Sequence, residues 1–383
     1  MSDKGQYFTT NLKLKNYVYQ FIKNNPRIIL EPSVGQGDLV VFTQDKLKKV
    51  EFDMYEIDTN IKLLEGMKKE KIVYGDFLDQ EIEKKYDTII GNPPYVRTTK
   101  GNLYIDFIEK CFHLLQENGE LIFIVPKDFL KLTSSSKILE EMLQVGTFTD
   151  IYHPNKENLF QGASIDVIVF RYCKDSNLPN ITKWNGKDKY LINTSGVITF
   201  SDDKDQLNMK KFLDYFDIYV GLVTGKESFF KNDEFGNIKL INGKDKTDNY
   251  ILINKFPTDN QKLNDYFNQN KEELISRRIK KFKESNWFEW GALRNIEKMK
   301  RHKDKDCIYV SCVTRSKEVA FVDKVNFFGG GLICMIPKEE INLDKILNYL
   351  NSDQFKENYM YSGRFKIGHR QLCNHLFKYE YLI

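Results

Sequence analysis

Short apolar runs alternate with helical patterns along the first half of this 383-residue chain. The helical pattern is clearest at residues 104–116, where apolar residues recur at helical spacing, and it returns at 137–145. Strands and helices in alternation are typical of a parallel sheet joined by crossover helices. The pattern therefore predicts an α/β fold. The predicted strands are residues 27–31, 52–56, 71–74, 86–91, 120–125, 148–152 and 164–172.

The segment between about Lys174 and Lys204 is polar and rich in turn residues, including an Asn-Gly and a Ser-Gly pair. Such a stretch is typical of a junction between domains. The chain is long enough for two domains that each bury a core. We therefore predict a first domain over residues 1–204 and a second over residues 205–383, whose irregular pattern indicates no particular fold.

The composition is that of a globular protein, with 41% apolar and 29% charged residues. No apolar run approaches the roughly 20 residues of a membrane-spanning helix. The first residues show no secretory signal. The six cysteines include no C-x-x-C pair and predict neither a zinc site nor disulfides. We expect a cytoplasmic protein without a membrane partner.

The net charge of +4 is divided unevenly along the chain. Residues 1–204 hold 27 Lys and Arg against 29 Asp and Glu, whereas residues 205–383 hold 31 against 25. Positive charge in the second half is expected if that half contacts a polyanion. The alternative is a lysine-rich surface that only solvates the protein, and the asymmetry is too small to decide between the two.

Three successive predicted strands end in residues suited to a nucleotide. The first runs into residues 31–37 (EPSVGQG), where Gly35 and Gly37 let the backbone approach a ligand because no Cβ intervenes. The second ends in Glu56, about 20 residues later, where nucleotide-binding folds place an acid on the ribose hydroxyls. The third ends in Asp76 and Phe77, an acid for an adenine amine and a ring to pack on it.

Each of these features also has a structural alternative. A tight turn would look like the glycine loop, and a solvated strand end or a helix N-cap would account for Asp58 or Asp76. A nicotinamide dinucleotide is a further alternative, but Val40 stands where the third small residue of the G-x-G-x-x-G fingerprint belongs. Three suitable loops at the ends of three successive strands favour a cofactor site.

The fourth strand ends in residues 92–95 (NPPY). The N6 amine of adenine is a poor nucleophile because its lone pair is delocalised into the ring. Two acceptors at its N–H groups would localise that lone pair and hold it towards a sulfonium methyl; the Asn92 side-chain oxygen and the Pro93 carbonyl are such acceptors. Tyr95 offers a flat face for an extruded base. A strand-capping Asn-Pro turn, the alternative, leaves the aromatic residue unexplained.

Over the first 172 residues these motifs resemble those of the gamma class of bacterial N6-adenine DNA methyltransferases. Residues 31–37 match the glycine loop of that family in full, and residues 92–95 match its catalytic motif letter for letter. Residues 5–10 (GQYFTT) are similar to its Gly-x-x-x-Thr-Pro segment, with Thr10 in place of the proline. Residues 158–164 (NLFQGAS) resemble its late aromatic motif. The order of the motifs is also that of the gamma class.

The resemblance implies a class I methyltransferase fold, a Rossmann-like seven-stranded sheet, followed by a target-recognition domain of mixed α+β structure. It implies S-adenosyl-L-methionine as cofactor, with Glu31 at its amino group, Glu56 at the ribose and Asp76 at the adenine amine. Phe160, which alone would indicate a core residue, is implied to stack on the flipped base. The predicted cofactor contacts are Tyr7, Thr9, Glu31, Pro32, Gly35, Gly37, Glu56, Ile57, Asp76, Phe77 and Asn92. The predicted catalytic residues are Asn92, Pro93, Tyr95 and Phe160, without a metal.

The second half contains one segment of family type and two basic segments. Residues 220–225 (VGLVTG) resemble the Gly-x-x-Thr-Gly segment near the start of the target-recognition domain. Residues 277–283 interleave basic and aromatic side chains, and the glycines of residues 362–370 indicate a basic loop. One solvated face of an amphipathic helix is an equal alternative for the first of these, and His369 is as readily structural as functional. The predicted DNA contacts are Arg277, Arg278, Lys280, Lys281, Arg364, Lys366 and Arg370.

The sequence thus predicts a site-specific, adenine-specific DNA methyltransferase that acts on a base flipped out of double-stranded DNA. It would be a restriction–modification or orphan methylase, monomeric or weakly dimeric, used at the nucleoid. A separate cognate restriction endonuclease is left open as a partner, and a fused nuclease is excluded on space. Release-factor glutamine methyltransferases share the catalytic motif, but only 30 residues precede Glu31, too few for their helical domain. RNA methylation and a catalytically dead DNA-binding protein are the remaining alternatives.

Overall fold

The computed structural model describes residues 7–99, 101–155, 159–160, 165–204 and 208–381. The chain forms two compact units that divide between residues 207 and 208, and Met360–Gly363 belong to the first unit. Each unit has an apolar core of its own. Within the described ranges, no helix has the length and apolar character needed to cross a bilayer.

The first unit is an α/β structure built on one sheet of ten strands. Its helices are α1 (Leu12–Phe21), α2 (Asp38–Lys46), α3 (Leu103–Leu114) and α4 (Ser136–Val145). Its strands are β1 (Ile28–Glu31), β2 (Glu51–Glu56), β3 (Ile72–Tyr74), β4 (Tyr86–Gly91), β5 (Leu115–Pro126), β6 (Thr147–Tyr152), β7 (Val167–Cys173), β8 (Ile181–Trp184), β9 (Lys187–Thr194) and β10 (Val197–Ser201). Their order is β10-β9-β8-β6-β7-β5-β4-β1-β2-β3.

The seven predicted strands are all present and form β1 to β7, so the predicted α/β fold is confirmed. Strands β1 to β5 pair in parallel, and β7 runs antiparallel between β5 and β6. The carboxyl ends of parallel strands meet at one edge of a sheet, and ligands bind at that edge in folds of this type. The topology therefore places the loops after β1, β2, β3 and β4 side by side.

The polar segment of residues 174–204, predicted to mark the junction between domains, contains β8, β9 and β10, which extend the sheet of the first unit. The Asn-Gly and Ser-Gly pairs are the two-residue turns of two hairpins. All four residues have positive φ, at 49° and 85° for Asn185 and Gly186 and at 51° and 70° for Ser195 and Gly196. That conformation matches the twist of paired strands. The observed sheet therefore has ten strands, three more than the seven that the resemblance implied.

The central strands are apolar throughout because both faces of the sheet are covered. Consecutive side chains point to opposite faces. Ile29 packs on the face that carries α1 and α2, whereas Leu30 packs on the face that carries α3 and α4. Both side chains are fully buried. Burial from both sides holds the strand ends, and the loops that follow them, in place.

The second unit has the mixed α+β structure that was predicted. A four-stranded antiparallel sheet is formed by β12 (Phe216–Val220), β18 (Leu332–Pro337), β15 (Asp306–Ser311) and β17 (Ala320–Lys324), in that order. The other strands are β11 (Met209–Lys211), β13 (Ile238–Gly243), β14 (Lys246–Tyr250), β16 (Val313–Thr314), β20 (Arg364–Lys366) and β21 (Leu376–Lys378), while β19 (Met360–Tyr361) lies in the first unit. The helices are α5 (Phe212–Tyr215), α6 (Glu227–Phe230), α7 (Gln261–Gln269), α8 (Lys271–Ile275), α9 (Ile296–Arg301), α10 (Leu343–Asn351), α11 (Asp353–Lys356) and α12 (His369–Cys373).

Candidate active site

A cavity of about 310 Å³ opens beside the loops that follow β1 to β4. It is lined by Tyr7, Phe8, Pro32, Ser33, Gly35, Glu56, Ile57, Gly75, Asp76, Phe77, Asn92, Pro94, Val96, Leu103 and Phe107. A smaller cavity shares five of these residues and adds, among others, Thr9 and Glu31. The two cavities thus bring together ten of the eleven predicted cofactor residues. The exception is Gly37.

The two glycines of the loop after β1 have different tasks. Gly35, at φ 57°, lines both cavities, and its N–H donates to Glu56 Oε2 at 2.8 Å. Gly37, at φ 96°, lines neither cavity. A Cβ on Gly37 would lie 2.5 Å from the Met67 side chain. Gly37 is therefore required for the fold of the loop, and Gly35 for the surface of the cavity.

Glu56 is held at the end of β2 by two backbone groups. Its two carboxylate oxygens accept from the N–H of Gly35 at 2.8 Å and from that of Asp58 at 2.9 Å. Each oxygen keeps a lone pair for a further donor. The neighbouring Ile57 is 61% exposed, which gives the cavity an apolar surface beside the acid. The arrangement can bind vicinal hydroxyls and cover a ring.

Asp76 both caps a turn and lines the cavity. Its Oδ1 accepts from the N–H of Leu78 at 2.9 Å at the start of a short 3-10 turn. Phe77 is buried and stacks on Phe107 with ring centroids 5.4 Å apart. Asp76 can therefore be an N-cap and a cavity residue at once, because Oδ1 accepts the capping hydrogen bond and Oδ2 remains for a ligand.

Glu31 is a buried acid at the amino-terminal side of the site. It is 1% exposed, and its Oε1 accepts from the N–H of Ser33 at 3.2 Å. Burial of the carboxyl raises the pKa of Glu31 from its ordinary value of 4.5 to about 8, and the nearby charge of Glu56 acts in the same direction. A cationic ligand beside Glu31 would reverse that shift. A cationic ligand such as an ammonium would therefore bind at neutral pH with release of the Glu31 proton.

The side-chain amide of Asn92 has a settled orientation. Its Nδ2 donates to the Tyr7 carbonyl at 2.7 Å and to Thr9 Oγ1 at 3.0 Å. Because a carbonyl can only accept, the amide oxygen must lie on the opposite side. That oxygen accepts from the Tyr95 hydroxyl at 2.5 Å and keeps one lone pair.

Tyr95 is anchored beside Asn92 through its hydroxyl, which also lies 2.9 Å from the Ile124 carbonyl. The loss of solvent around this hydroxyl raises the pKa of Tyr95 well above its usual value, so the group stays a donor. The Tyr7 ring covers one face of Tyr95 at 5.4 Å, and Phe160 meets Tyr95 edge-on at 6.2 Å. A base that stacks on this face of Tyr95 has to displace Tyr7.

Phe160 is a core residue that also belongs to this aromatic group. It is 4% exposed and lies 5.7 Å from the Tyr7 ring. The rest of the late aromatic motif, apart from Leu159, and the Gly5-Gln6 pair of the amino-terminal motif lie outside the described residues. Pro93 is buried directly after Asn92.

Several lining residues were missed by the sequence analysis. Phe8 lies between two predicted contacts, and its ring would be 3.6 Å from a Cβ on Gly35. Leu103 and Phe107 line the cavity from α3, the helix that follows the catalytic motif. They belong to the apolar pattern of that helix, so nothing in the sequence separates them from the core.

Arg277 is a correction to the predicted DNA contacts. Its side chain is 8% exposed, and four of its N–H groups donate to backbone carbonyls of the second unit, at 2.6–2.9 Å. Burial lowers the pKa of the guanidinium to about 10, which leaves it charged at neutral pH. Arg277 is therefore taken up by the fold and is not available to a phosphate.

The segment around Arg277 is not the amphipathic helix that was one of the two alternatives for it. Residues 276–295 form no helix, so the amphipathic helix alternative was wrong. Arg278 and Lys281 are exposed, whereas Lys280 pairs with Glu289 at 3.0 Å. The segment is an irregular loop with cations of different availability.

The second basic segment, residues 362–370, is more regular than the predicted loop. Arg364 and Lys366 lie on β20 and are exposed, while Phe365 between them is buried. Arg370 lies on α12. His369 Nε2 lies 3.0 Å from the Ile218 carbonyl, which is a structural contact. Strand alternation explains the outward cations.

One group of described side chains, Glu109, His113 and Glu141, has potential metal ligand atoms within 4.8 Å of one another. The group lies on α3 and α4, and none of its members lines the cavities above. The expectation that the reaction needs no metal stays a prediction.

Comparisons with known proteins relate this chain to restriction-modification methylases. Residues 9–160 match the model of the Eco57I restriction-modification methylase family. The chain is 25% identical to the Type II methyltransferase M.HindII of Haemophilus influenzae, over 91% of this chain and 83% of that protein. It is 21% identical to the Type II methyltransferase M.AccI of Acinetobacter calcoaceticus, over 98% of this chain and 84% of that protein.

A solved structure shares the fold. The Type IIL restriction-modification enzyme MmeI, solved in complex with DNA, superposes with a TM-score of 0.60 and 11% identity, over 96% of this chain and 64% of that chain. The methylase family and the class I topology confirm S-adenosyl-L-methionine as the cofactor. The chain is therefore an S-adenosylmethionine-dependent methyltransferase, and its residues 9–160 match the model of the Eco57I restriction-modification methylase family.

Proposed function

We propose that this chain transfers a methyl group from S-adenosyl-L-methionine to the N6 amine of an adenine flipped out of double-stranded DNA, as the modification enzyme of a restriction–modification system or an orphan methylase. The observation that carries the proposal is the Asn92 amide, whose orientation is set by the Tyr7 carbonyl and Thr9. Relatives named as Type II methyltransferases, and a structural neighbour solved with DNA, support DNA as the substrate.

The residues that line the cavities fit the cofactor at each of its parts. Glu31 accepts from the amino group, whose positive charge stabilises the charged form of this buried carboxyl. Glu56 accepts from the ribose hydroxyls with its two spare lone pairs, and Asp76 accepts from the adenine amine with its second oxygen. Ile57 and Phe77 cover the adenine ring, and Pro32, Gly35 and Tyr7 complete the walls.

The bound cofactor supplies an electrophilic methyl group. Asn92 Oδ1 and the Pro93 carbonyl accept the two N–H groups of the target amine, which localises its lone pair for direct in-line transfer. The N6–CH3 bond forms as the sulfonium–CH3 bond breaks, so S-adenosyl-L-homocysteine leaves as a neutral thioether and no covalent enzyme intermediate forms. Neither acceptor is a base, so the proton that the amine loses passes to solvent. Tyr95 stacks on the base, and Phe160 contacts it after Tyr7 has moved.

The test is mass spectrometry of nucleosides from duplex DNA incubated with the protein and S-adenosyl-L-methionine. We expect a new N6-methyladenine peak, and mapping of the modified positions then gives the recognition sequence. DNA from several sources is needed because the recognition sequence is unknown. Methylated nucleosides in RNA, or a methylated glutamine in a release factor, without modified DNA would contradict the proposal.

The variant Asn92→Ala tests the catalytic role of Asn92. We expect turnover to fall by at least about 100-fold with a much smaller change in the cofactor Kd, since Asn92 is a proposed acceptor for the amine but only one of the eleven predicted cofactor contacts. A fully active Asn92→Ala variant would sink the assignment of the catalytic site. If the unaltered chain binds the cofactor or DNA but shows no turnover, the alternative of a catalytically dead DNA-binding protein is correct.

The flipped base is tested separately with 2-aminopurine at the target position, whose fluorescence rises when the base leaves the stack. We expect this rise with the unaltered chain and a smaller one with Phe160→Ala. Unchanged fluorescence in the variant would remove Phe160 from base capture but leave the methylation result standing.

A further inference from the structure

We propose that the loop of residues 278–283, here called the basic loop, is a surface for the phosphodiester backbone of DNA, and that Arg277 positions it without contacting DNA. The inference rests on the proposed function and deepens it, since it names the contacting residues. Of the DNA contacts predicted in this segment, Arg278 and Lys281 are kept, Arg277 and Lys280 are withdrawn, and the exposed Lys283 is added.

Arg277 joins three separate segments of the second unit. Its Nε donates to the Leu274 carbonyl at 2.7 Å, and its Nη1 donates to the Thr224 carbonyl at 2.8 Å. Its Nη2 donates to the carbonyls of Trp287 at 2.6 Å and Glu289 at 2.9 Å. The basic loop lies between the first and the last of these segments, so one side chain ties both of its ends to the body of the unit.

The guanidinium is also enclosed by aromatic rings. It lies 3.8 Å from the centre of the Phe282 ring and 5.2 Å from that of Phe230. Phe282 is part of the basic loop and is buried. A lysine keeps the charge but has neither the planar face nor the forked N–H groups for four carbonyls. The contact therefore depends on the shape of arginine.

The Gly-x-x-Thr-Gly segment, residues 220–225, contacts Arg277 and the basic loop. The Thr224 carbonyl accepts both from Arg277 and from the N–H of Gly291, at 3.0 Å. A Cβ on Gly225 would lie 2.9 Å from the Ile279 side chain, and one on Gly291 would lie 2.7 Å from it. Two glycines thus make room for Ile279, which explains why this segment of the sequence carries glycine beside threonine.

The cations of the loop divide into two groups. Lys280 is neutralised by Glu289 at 3.0 Å. Arg278, Lys281 and Lys283 are exposed, and within the described residues none of them has an ion pair. Three exposed cations within six residues, on a loop whose ends are fixed, form a preorganised site for phosphates.

The experiment measures binding of the full chain to a fluorescently labelled duplex of random sequence over a range of salt concentrations. Each phosphate contact contributes about 0.9 to the slope of log K against log salt. We expect the slope to fall by roughly one for each of Arg278→Gln, Lys281→Gln and Lys283→Gln, and by roughly three for the triple variant. Lys262→Gln, an exposed lysine on α7, is the matched control and should leave the slope unchanged.

Arg277→Lys separates positioning from contact, since it leaves the formal charge unchanged. We expect its slope to fall by more than one, and the KM for DNA to rise while kcat at saturating DNA and the cofactor Kd stay the same. A wild-type slope in Arg277→Lys would overturn the positioning role. If Arg277→Lys does not fold, the triple variant decides, because its three side chains are exposed.

The outcomes separate this inference from the proposed function. A chain that methylates DNA but whose triple variant has the slope of Lys262→Gln overturns the basic loop alone. An unaltered chain that neither binds nor methylates DNA overturns both. Loss of slope in the triple variant together with loss in Arg277→Lys supports both parts of the inference.

Discussion

Thr9 has a task that the motif resemblance did not indicate. The resemblance implied a contact between Thr9 and the cofactor. In the structure the Thr9 hydroxyl accepts from Asn92 Nδ2 at 3.0 Å and is buried, at 4% exposure. The amino-terminal segment thus lines the two cavities and orients the proposed catalytic amide at the same time.

We expect Thr9→Val to lower kcat roughly tenfold, because one hydrogen bond of about 1–1.5 kcal/mol no longer orients the amide. The KM for the cofactor should change little. Thr9→Ser keeps the hydroxyl and should restore activity. Steady-state kinetics of methyl transfer to DNA measure all three chains, and an unchanged kcat in Thr9→Val would show that the Tyr7 carbonyl alone orients Asn92.

Glu31 makes the stability of the cofactor-free chain depend on pH. Its pKa is 4.5 ordinarily and about 8 in the folded chain. Between these values the folded chain keeps a proton that the unfolded chain has released. The stability from this group is therefore fully present below pH 4.5 and is lost as the pH rises through 8.

Glu31→Gln removes this titration. Between pH 5.5 and 8.5 we expect the free energy of unfolding of the cofactor-free wild type to fall by roughly 2–4 kcal/mol more than that of the cofactor-free variant. The variant should also bind the cofactor more weakly, since it cannot become an anion beside the amino group. Urea unfolding at both pH values measures the loss, and equal losses in the two chains would contradict the burial of a titrating Glu31.

At the scale of elements, a buried ion pair joins four parts of the first unit. Glu120 of β5 is fully buried and accepts from Arg171 Nε of β7 at 2.7 Å and from the Thr88 hydroxyl of β4 at 2.9 Å. It also accepts from the backbone N–H groups of Lys23 and Asn24 after α1. The network holds the central strands together near their amino ends, at the edge of the sheet opposite to the loops that line the cavities.

We expect Arg171→Leu to destabilise the first unit by about 3–5 kcal/mol, because it leaves the Glu120 charge buried without its cation. Lys84→Gln is the control, since it breaks an exposed pair with Asp53 and should cost less than about 1 kcal/mol. Urea unfolding followed by circular dichroism measures both. A loss in Arg171→Leu no larger than in Lys84→Gln would mean that solvent reaches Glu120.

At the scale of the whole molecule, the division into units does not follow the order of the chain. Met360–Gly363 belong to the first unit although both flanking segments belong to the second. Lys127, 1% exposed, donates to the Met360 carbonyl and lies 5.0 Å from the Tyr361 ring. The Ser362 hydroxyl donates to Asp166 at 2.7 Å. A fragment cut at residue 204 therefore lacks part of the first unit.

Cofactor binding should stabilise the folded chain by mass action. At 100 times its Kd, S-adenosyl-L-methionine is expected to add about 2.7 kcal/mol, seen as a rise in Tm by calorimetry. Glu56→Ala should lose most of this rise at the same concentration, because the ribose loses its acceptor. A full rise in Glu56→Ala would remove Glu56 from the proposed cofactor contacts.

The sequence by itself determined the α/β fold of the first half, the seven central strands and the loops that line the two cavities. Burial on both faces forces apolar runs, and a close backbone approach requires glycine at fixed points such as Gly35. These requirements act on residues that are close together in the chain, so the local sequence pattern shows them. The Asn92 motif is local for the same reason, because one tight turn holds both proposed acceptors.

Only the tertiary structure decided what depends on residues far apart in the chain. The Asn185-Gly186 turn signal was correct, but a turn between paired strands and a turn in a linker look alike until the partner strand is known. Arg277 and Arg278 are adjacent and chemically identical, yet one is buried among carbonyls and the other is exposed. Burial is a property of the packed unit, and no local pattern of charge contains it.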